Sequence, residues 1–213
     1  MHAATRIIAI RHGETAWNVD TRIQGKLDIE LNATGRWQAL RVAQALAGEP
    51  ISAVYASDLV RAWETARSIA AATGSALFAH AGLRERGFGE FQGKTFAEID
   101  AVWPEQARRW RKRDPHWAPT GGESLLDLRE RIVQTATELA QQHQGQQIVL
   151  VAHGGVMDVL YRAATGQDLQ APRTWKLGNA AINRLLWTSN GLTLVGWADT
   201  RHLDDETLEE MSA

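Results

Sequence analysis

Two apolar runs in the sequence each end in a histidine that is followed directly by glycine. The run 7–10 leads into Arg11 and His12, and the run 148–152 leads into His153. Unbroken apolar runs rich in β-branched residues are typical of strands covered on both faces of a sheet, and ligands bind at the carboxyl ends of such parallel strands. A lone histidine after a strand is more often structural, but the repeated pattern favours one shared ligand site.

A second arginine stands near the start of a predicted helix, in the stretch "SDLVRAWETA". We expect Ser57 or Asp58 to cap this helix, whose free N–H groups attract anions. The residues predicted to face the core are Leu59, Trp63, Ala66 and Ala70. Arg61 falls outside that stripe, so it either pairs with Glu64 at the surface or joins Arg11 at one anion. Two planar guanidinium groups suit phosphate and can offset its two charges without a metal.

A glutamate in the glycine-rich stretch "GLRERGFGEFQG" is a candidate general acid. The glycines on either side of Phe88 indicate a shaped loop. In such a loop Glu85 is either an ordinary charge paired with Arg84 or Arg86, or an acid beside the anion. A carboxyl group next to a bound phosphate stays protonated because the dianion repels a carboxylate, and it can then give its proton to a leaving oxygen.

Helical and strand patterns alternate along the chain. A helix is predicted over 33–47 with Asn32 as its N-cap, and the clearest helix follows Ser124, which with Asp127 resembles a capping box. Strands joined by crossover helices favour an α/β fold, here a three-layer α/β/α sandwich with a mostly parallel sheet. Further elements are expected as strands near 6–10, 51–57, 77–78, 148–152, 180–187 and 192–198 and as helices over 58–72 and 156–164.

The predicted elements form one domain over 1–213. The segment 80–120, in which three prolines interrupt helical pieces, is expected to be a small helical and loop cap insertion over one end of the sheet. The acidic end, 203–213, is predicted to be a flexible tail.

The composition argues against several classes of protein. The formal net charge of -2 gives no bias toward nucleic acid or membranes, and the absence of cysteine excludes disulfides and thiolate metal sites. The apolar run 7–10 is too short for a signal peptide, and no stretch approaches a membrane span. The basic run 107–113 with nearby tryptophans suits single-stranded nucleic acid, but the overall charge argues against that partner. We expect a cytoplasmic protein with no nucleic-acid or membrane partner, no metal and no cofactor.

The motifs, taken in order, resemble the histidine phosphatase, or phosphoglycerate mutase-like, superfamily. The resemblance runs from about Arg6 to about Leu160, and the motifs that carry it are RHGET, WN at 17–18, QG at 24–25, SDLVRAWETA, LRERGFGEFQG, GGES and VAHGG. It implies that His12 accepts the phosphoryl group and that Glu85 protonates the leaving alkoxide. The residues implied to surround the phosphate are Arg11, Arg61, His153 and the backbone N–H of Gly154, and those implied to line the pocket are Asn18, Gln24 and Gly25.

Two departures from the cofactor-dependent mutases of this superfamily favour a hydrolase. Such mutases usually have asparagine after "HG", where this chain has Gly155, and a longer segment than the one from Glu85 to His153. We therefore predict a phosphomonoester hydrolase that uses a phosphohistidine and acts on a small phosphorylated metabolite. The alternative is a 2,3-bisphosphoglycerate-dependent phosphoglycerate mutase with the same chemistry.

The choice of substrate is expected to depend on the predicted cap. The basic run 107–113 is either a solvated helix face or reaches the cleft, where it would favour a substrate with a second anionic group. The oligomeric state does not follow from the sequence, and a homodimer stays open.

Overall fold

The computed structural model describes residues 3–204, which form a six-stranded sheet and seven α-helices. The strands are β1 (Thr5–Arg11), β2 (Ala53–Ala56), β3 (Ala76–Ala79), β4 (Gln147–Ala152), β5 (Ile182–Thr188) and β6 (Gly191–Asp199). The helices are α1 (Ala16–Val19), α2 (Ala33–Leu46), α3 (Val60–Thr73), α4 (Phe96–Val102), α5 (Pro104–Arg111), α6 (Leu125–Gln142) and α7 (Gly154–Thr165). The predicted elements are present, although α7 begins at Gly154 instead of Val156.

The sheet has the strand order β3-β2-β4-β1-β5-β6. The pairs β1–β4, β2–β4 and β2–β3 are parallel, whereas β1–β5 and β5–β6 are antiparallel. Within the described sheet, β5 is therefore the strand that runs opposite to the other five. The prediction of a mostly parallel sheet is confirmed, with β1 and β4 side by side at its centre.

The side chains of β1 alternate between two hydrophobic layers. Ile7 and Ala9 belong to a cluster with α6 and α7, whereas Ile8 and Ile10 belong to a cluster with α2 and α3. Successive residues of a strand point to opposite faces, so a strand that is apolar throughout needs helices on both sides. The three-layer α/β/α sandwich is confirmed.

A third hydrophobic cluster lies in the segment between β3 and α6. Its buried members are Phe91, Ile99, Ala107 and Trp117. Partly buried residues pack against it, namely Ile23, Phe88, Trp103 and Trp110. This segment thus has a small core of its own beside the two layers that cover the sheet.

The predicted N-caps of α2 and α6 are confirmed, but that of α3 is wrong. Asn32 accepts a hydrogen bond from the backbone of α2, and Ser124 forms the capping box of α6. The first turn of α3 is bound by Asp28, whose Oδ1 accepts from the Val60 N–H at 2.7 Å. Asp58, one of the two predicted caps, pairs with a neighbouring arginine instead. The cap comes from a distant loop, which a local pattern does not indicate.

Two further expectations concern membranes and the chain end. No helix within residues 3–204 is both long and apolar enough to cross a membrane. The predicted tail 203–213 is described only as far as Asp204, after a short 3₁₀ turn over 201–203. Residues 205–213 lie outside the described residues, so the prediction of a tail stays untested.

Candidate active site

The strands β1 and β4 bring His12 and His153 into contact. In the parallel register Arg11 faces Ala152, so the next residue in each chain segment is a histidine. The His12 N–H donates to the Ala152 carbonyl oxygen at 3.0 Å. The two ring centroids are 5.2 Å apart, and the ring planes are inclined by 59°. The histidines therefore meet at one edge of the sheet, as their matching positions in the sequence predict.

The imidazole of His12 is oriented by the backbone of its own loop. Its Nδ1 lies 2.6 Å from the carbonyl oxygen of Gly13. A carbonyl oxygen can only accept, so Nδ1 carries the hydrogen, and in the neutral ring Nε2 then carries the lone pair. Nε2 is therefore the nitrogen of His12 that can act as a nucleophile.

Two residues that the sequence analysis missed hold this loop in place. Thr65 on α3 accepts a hydrogen bond from the Gly13 N–H at 3.0 Å and donates to the carbonyl oxygen of Arg61 at 2.8 Å. On the other side, Asn179 donates through Nδ2 to the carbonyl oxygen of His12 at 2.9 Å. Thr65 lies within the motif SDLVRAWETA and Asn179 lies in none of the quoted motifs, and neither was assigned a role from the sequence because both act on the loop through long-range contacts.

Arg61 is buried, with an exposed fraction of 1%, which contradicts the expectation that it lies away from the core. The buried face of α3 includes Ala62, Ala66 and Ile69 as well as Arg61, whereas Trp63 is only partly buried. The predicted stripe is largely confirmed, since Leu59, Ala66 and Ala70 are buried. Only the placement of Arg61 was wrong, because a periodicity argument counts arginine as a surface residue. The alternative surface pair with Glu64 is also wrong, since the guanidinium is bound by backbone carbonyl groups.

These carbonyl groups come from the loop that follows α1. Arg61 donates through Nη1 to Leu27 O and through Nη2 to Gly25 O, each at 2.8 Å. Gly25 has a φ of 52°, the left-handed conformation that glycine tolerates best. Burial lowers the pKa of Arg61 to about 10, so the guanidinium keeps its charge at neutral pH. Its Nε is buried and has no hydrogen-bond partner among the described residues.

Arg11 presents a second guanidinium group to the same place. It donates through Nη1 to the carbonyl oxygen of Leu177 at 2.5 Å, while its Nε lacks a partner in the part of the chain described. Burial lowers the pKa of Arg11, and the nearby carboxylate of Glu85 opposes this effect. Buried N–H groups normally have acceptors, so the two Nε atoms are suited to bind an anion.

The two imidazoles are neutral at pH 7. Burial lowers the pKa of His12 and His153 well below the ordinary value, and the charge of Arg61 adds to this effect in both. His153 is fully buried, and neither of its ring nitrogens has a partner within residues 3–204. A neutral His153 can donate one hydrogen bond to an anion held by the arginines.

Glu85 does not pair with either neighbouring arginine, contrary to the simpler interpretation of its loop. Arg84 pairs with Asp58, and the guanidinium of Arg86 donates to backbone carbonyl groups. The Glu85 carboxylate accepts from two backbone N–H groups, those of Arg86 at 2.8 Å and Gly155 at 3.0 Å. These two hydrogen bonds hold the carboxylate at the start of α7, near the histidines.

A single cavity of about 670 Å³ joins the predicted site residues. Eight of the nine line it, namely Arg11, His12, Asn18, Gln24, Gly25, Arg61, Glu85 and Gly154. The ninth, His153, is fully buried and lies next to the ring of His12. The Asn18 Oδ1 accepts from the Thr15 N–H at 3.0 Å, so its amide nitrogen is the atom it can offer to an anion. Gln24 is buried, and its Oε1 has no partner among the described residues.

Comparison with known families agrees with this geometry. The family described as "Histidine phosphatase superfamily (branch 1)" matches residues 7–200. The chain belongs to the histidine phosphatase superfamily. The recognition made from the motifs is confirmed, and the chain has the chemistry of this superfamily, in which a histidine takes part in the removal of phosphate from its ester.

Relatives of this histidine phosphatase include a phosphoglycerate mutase-like protein and two phosphatases. Phosphoglycerate mutase-like protein 4 of Arabidopsis thaliana is 40% identical over 203 residues, covering 93% of this chain and 87% of that protein. A metal-independent phosphoserine phosphatase of the same plant is 35% identical over 203 residues, covering 93% of this chain and 83% of that protein. The structure of a mycobacterial glucosyl-3-phosphoglycerate phosphatase has a TM-score of 0.83 at 34% identity, covering 92% of this chain and 100% of that chain.

The cavity of this histidine phosphatase extends beyond the predicted residues. Arg113, Asp158 and Arg173 line it as well. Arg113 donates to the Asp158 carboxylate at 2.7 Å and to the Leu169 carbonyl oxygen at 2.6 Å. Asp158 is also bound by Arg162 at 3.0 Å. Arg173 is exposed, and its charge acts on both Arg11 and Arg113. Arg113 ends the basic run 107–113 considered in the sequence analysis, whereas no sequence motif marks Asp158 or Arg173.

The basic run 107–113 divides between the cavity and the surface. Arg111 and Arg113 line the cavity, as does Trp110. Arg108 and Arg109 form exposed ion pairs with nearby acidic residues. Both readings of the run thus apply to part of it.

Within the described residues, no cluster of three or more histidine, aspartate or glutamate side chains could hold a metal ion. The anion-binding groups of the cavity are the guanidinium, imidazole and amide groups described above.

Proposed function

We propose that this histidine phosphatase hydrolyses a phosphate monoester of a small metabolite through a phosphohistidine on His12. The observation that carries the proposal is that His12 lines one cavity together with the guanidinium groups of Arg11 and Arg61, whose charges act on its ring. Their Nε atoms have no partner in the described residues. A site with one nucleophile and two fixed cations suits phosphoryl transfer, which depends on positioning and charge stabilisation.

The first step transfers the phosphoryl group to the enzyme. Arg11, Arg61, His153 and the Gly154 N–H at the start of α7 bind the phosphate oxygens. The Nε2 of His12 attacks phosphorus, and the bond between phosphorus and the alcohol oxygen breaks. Glu85 gives its proton to that oxygen, so the alcohol leaves neutral and the Glu85 carboxylate remains.

The second step releases phosphate by the same groups in reverse. A water molecule attacks phosphorus, and its proton passes to the Glu85 carboxylate. The bond between phosphorus and Nε2 breaks, and the electron pair returns to the ring of His12. Asn18, Gln24 and Gly25 line the pocket and help to hold the substrate or phosphate in both steps.

We also assign a second anionic group to the substrate. Arg113 and Arg173 lie on the cavity beyond the phosphate position, and two of the compared relatives are named for substrates that carry a carboxylate. A carboxylate on the alcohol part would interact favourably with Arg173, whose charge acts on Arg11 and Arg113. Planar guanidinium groups bind carboxylates as well as phosphates.

The decisive experiment separates phosphatase from mutase. Phosphate esters, including 2- and 3-phosphoglycerate with and without 2,3-bisphosphoglycerate, are assayed for released phosphate and for isomerisation. The expected result is phosphate release without isomerisation. Isomerisation that depends on the bisphosphate and exceeds phosphate release would establish the mutase instead.

The phosphohistidine itself can be tested directly. Brief mixing with labelled substrate and quenching in alkali should trap label on the wild-type protein and none on His12→Ala. A phosphate analogue such as vanadate should inhibit, and a chelator should leave the rate unchanged. Equal turnover by His12→Ala would overturn the mechanism.

We propose one domain over 1–213 with 80–120 as a cap insertion, supported by the separate hydrophobic cluster in that segment. A cytoplasmic location and the absence of nucleic-acid partners are supported by the composition and net charge. The oligomeric state stays open.

A further inference from the structure

One side of the cavity is formed by apolar side chains that the proposed mechanism does not use. Ile23, Phe88, Phe96 and Trp110 line the cavity, and together they are called the aromatic wall below. Phe96 and Trp110 are stacked, with ring centroids 4.5 Å apart and planes inclined by 12°. Phe88 lies 5.7 Å from Trp110, between centroids. The wall therefore presents flat apolar surface to whatever occupies the cavity.

Packing within the protein does not account for the whole wall. Phe91 is completely buried and contacts Trp103, Trp110 and Trp117, so the small core of this segment is closed around that ring. Phe96 lies outside this core and has an exposed fraction of 52%. Large apolar residues that stay exposed in a concave site are typical of ligand-binding surfaces.

Two ion pairs connect the helix that carries Phe96 to arginines that line the cavity. Arg22 pairs with Glu98 at 3.1 Å, and Arg111 pairs with Asp100 at 2.5 Å. Both arginines also line the cavity, and both acidic partners lie on α4, the helix that begins at Phe96. The helix that begins at Phe96 is therefore linked to the cavity rim at two points.

The size of the cavity agrees with a large alcohol group. A phosphoryl group bound by Arg11 and Arg61 fills only a small part of about 670 Å³. Pockets of this volume usually enclose ligands larger than a three-carbon acid, with apolar walls and a few polar groups.

We propose that the alcohol part of the substrate carries a ring, which stacks on Phe96 and Trp110 while His12 receives the phosphoryl group. This inference rests on the proposed function and specifies its substrate class as phosphate monoesters of ring-bearing alcohols. Offset stacking and removal of apolar surface from water stabilise such a complex. The ring is distant from the reacting bond, so it acts through binding and orientation of the substrate.

The test compares two substrates that differ in the ring but share a primary alkoxide leaving group. 2-Phenylethyl phosphate should be hydrolysed with a kcat/KM about tenfold or more above that of propyl phosphate, as expected for stacking plus apolar burial. Phe96→Ala should remove most of this preference, because kcat/KM should fall far more for the ring-bearing ester than for propyl phosphate. Phe96→Leu should give an intermediate preference, because it keeps apolar surface and loses the flat ring.

A matched control is Trp37→Ala, because Trp37 is a half-exposed aromatic residue on α2 that does not line the cavity. It should leave the substrate preference unchanged. Equal kcat/KM values of the wild type for the two esters would overturn the inference. An equal decrease of kcat/KM for both esters in Phe96→Ala would overturn it as well.

Failure of the proposed function gives a different result from failure of this inference. If neither ester is hydrolysed, the proposed function fails, and the wall is then tested by equilibrium binding of 2-phenylethyl phosphonate and propyl phosphonate. Tighter binding of the ring compound that Phe96→Ala abolishes would support the wall without hydrolysis. Equal binding of the two phosphonates would refute it.

Discussion

Gly155 and Glu85 lie so close together that a side chain at one position would displace the other. The Gly155 N–H donates to Glu85 Oε2 at 3.0 Å, and a Cβ atom at position 155 would lie 2.4 Å from Glu85 Oε1. The backbone of Gly155 is not left-handed, so the conformation does not itself require glycine. The close approach of the Glu85 carboxylate is what requires glycine at this position. Gly155 is therefore a positioning residue for the proposed proton donor.

We therefore expect Gly155→Ala to impair proton donation selectively. With alkyl phosphates, whose leaving oxygen needs a proton, kcat should fall by roughly 10²-fold, a typical contribution of a general acid. With p-nitrophenyl phosphate, whose leaving group is stable as an anion, kcat should decrease only slightly. Steady-state rates on the two esters give the comparison.

The control for this variant is Gly48→Ala, since a Cβ atom at Gly48 meets nothing within 4 Å. It should behave as wild type on both esters. An equal loss on both esters in Gly155→Ala would mean that the substitution damages the site in general and does not act through Glu85.

Thr65 is expected to act on catalysis through the loop that carries His12. Thr65→Val keeps the shape of the side chain but removes the acceptor for the Gly13 N–H. We expect kcat to fall about tenfold with KM little changed, while the free energy of unfolding drops by about 1 kcal/mol. Thr73→Val, on the same helix, removes a comparable bond to the Ile69 carbonyl oxygen and should affect stability alone. Equal kcat values for the two variants would show that Thr65 has no role beyond stability.

Arg61 should not be replaceable by lysine. Its guanidinium is bound to two carbonyl groups while Nε is left for the anion, and an ammonium group cannot reproduce this fork. We expect kcat/KM for Arg61→Lys to fall on the order of 10²-fold. Arg67→Lys, at an exposed position on α3, serves as the control. Retention of most activity by Arg61→Lys would indicate that charge alone is sufficient.

The lowered pKa values of His12 and His153 predict a dependence of stability on pH. Below a pH of about 6.5, the ordinary pKa, these histidines bind protons in the unfolded chain but not in the folded protein. The unfolded state then binds more protons, so the free energy of unfolding decreases as the pH falls, by up to about 1.4 kcal/mol per pH unit for each histidine. The free energy of unfolding continues to decrease until the pH reaches the pKa values that the two histidines have in the folded protein.

Urea unfolding of wild type and His153→Gln between pH 7.5 and pH 5.5 tests this dependence. The variant lacks one of the two buried imidazoles, so its stability should fall less steeply as the pH decreases. His116→Gln, at an exposed histidine, should keep the wild-type slope. The same slope for His153→Gln and wild type would contradict the prediction.

The sequence predicted the parts of the site that depend on local patterns. Apolar runs identify β1 and β4, and parallel strands place the residues after Arg11 and Ala152 side by side. These two facts are sufficient to bring His12 and His153 together. The sandwich follows for the same reason, since strands apolar on both faces need two layers of helices.

The parts that the sequence did not predict depend on contacts between distant segments. The Asp28 cap of α3, the burial of Arg61 and the hydrogen bonds from Asn179 and to Thr65 each join residues far apart in the chain. Hydrophobic periodicity carries no information about such contacts, and it assigns a buried arginine to the surface. The contact between Glu85 and Gly155 is of the same kind, although the glycine itself was noticed as a departure from the mutases.

The backbone around His12 has a consequence for the fate of the phosphorylated enzyme. The main chain of His12 is hydrogen-bonded to β4 and to Asn179. Its ring lies next to that of His153, which is fully buried. The side of His12 that lines the cavity is where the proposed mechanism places the phosphoryl group, and water approaches it there from the volume that the departing alcohol vacates. An alcohol that stays bound shields the phosphohistidine from water and can accept the phosphoryl group again. The residence time of the alcohol therefore determines how much of the phosphohistidine is hydrolysed and how much is converted back to substrate.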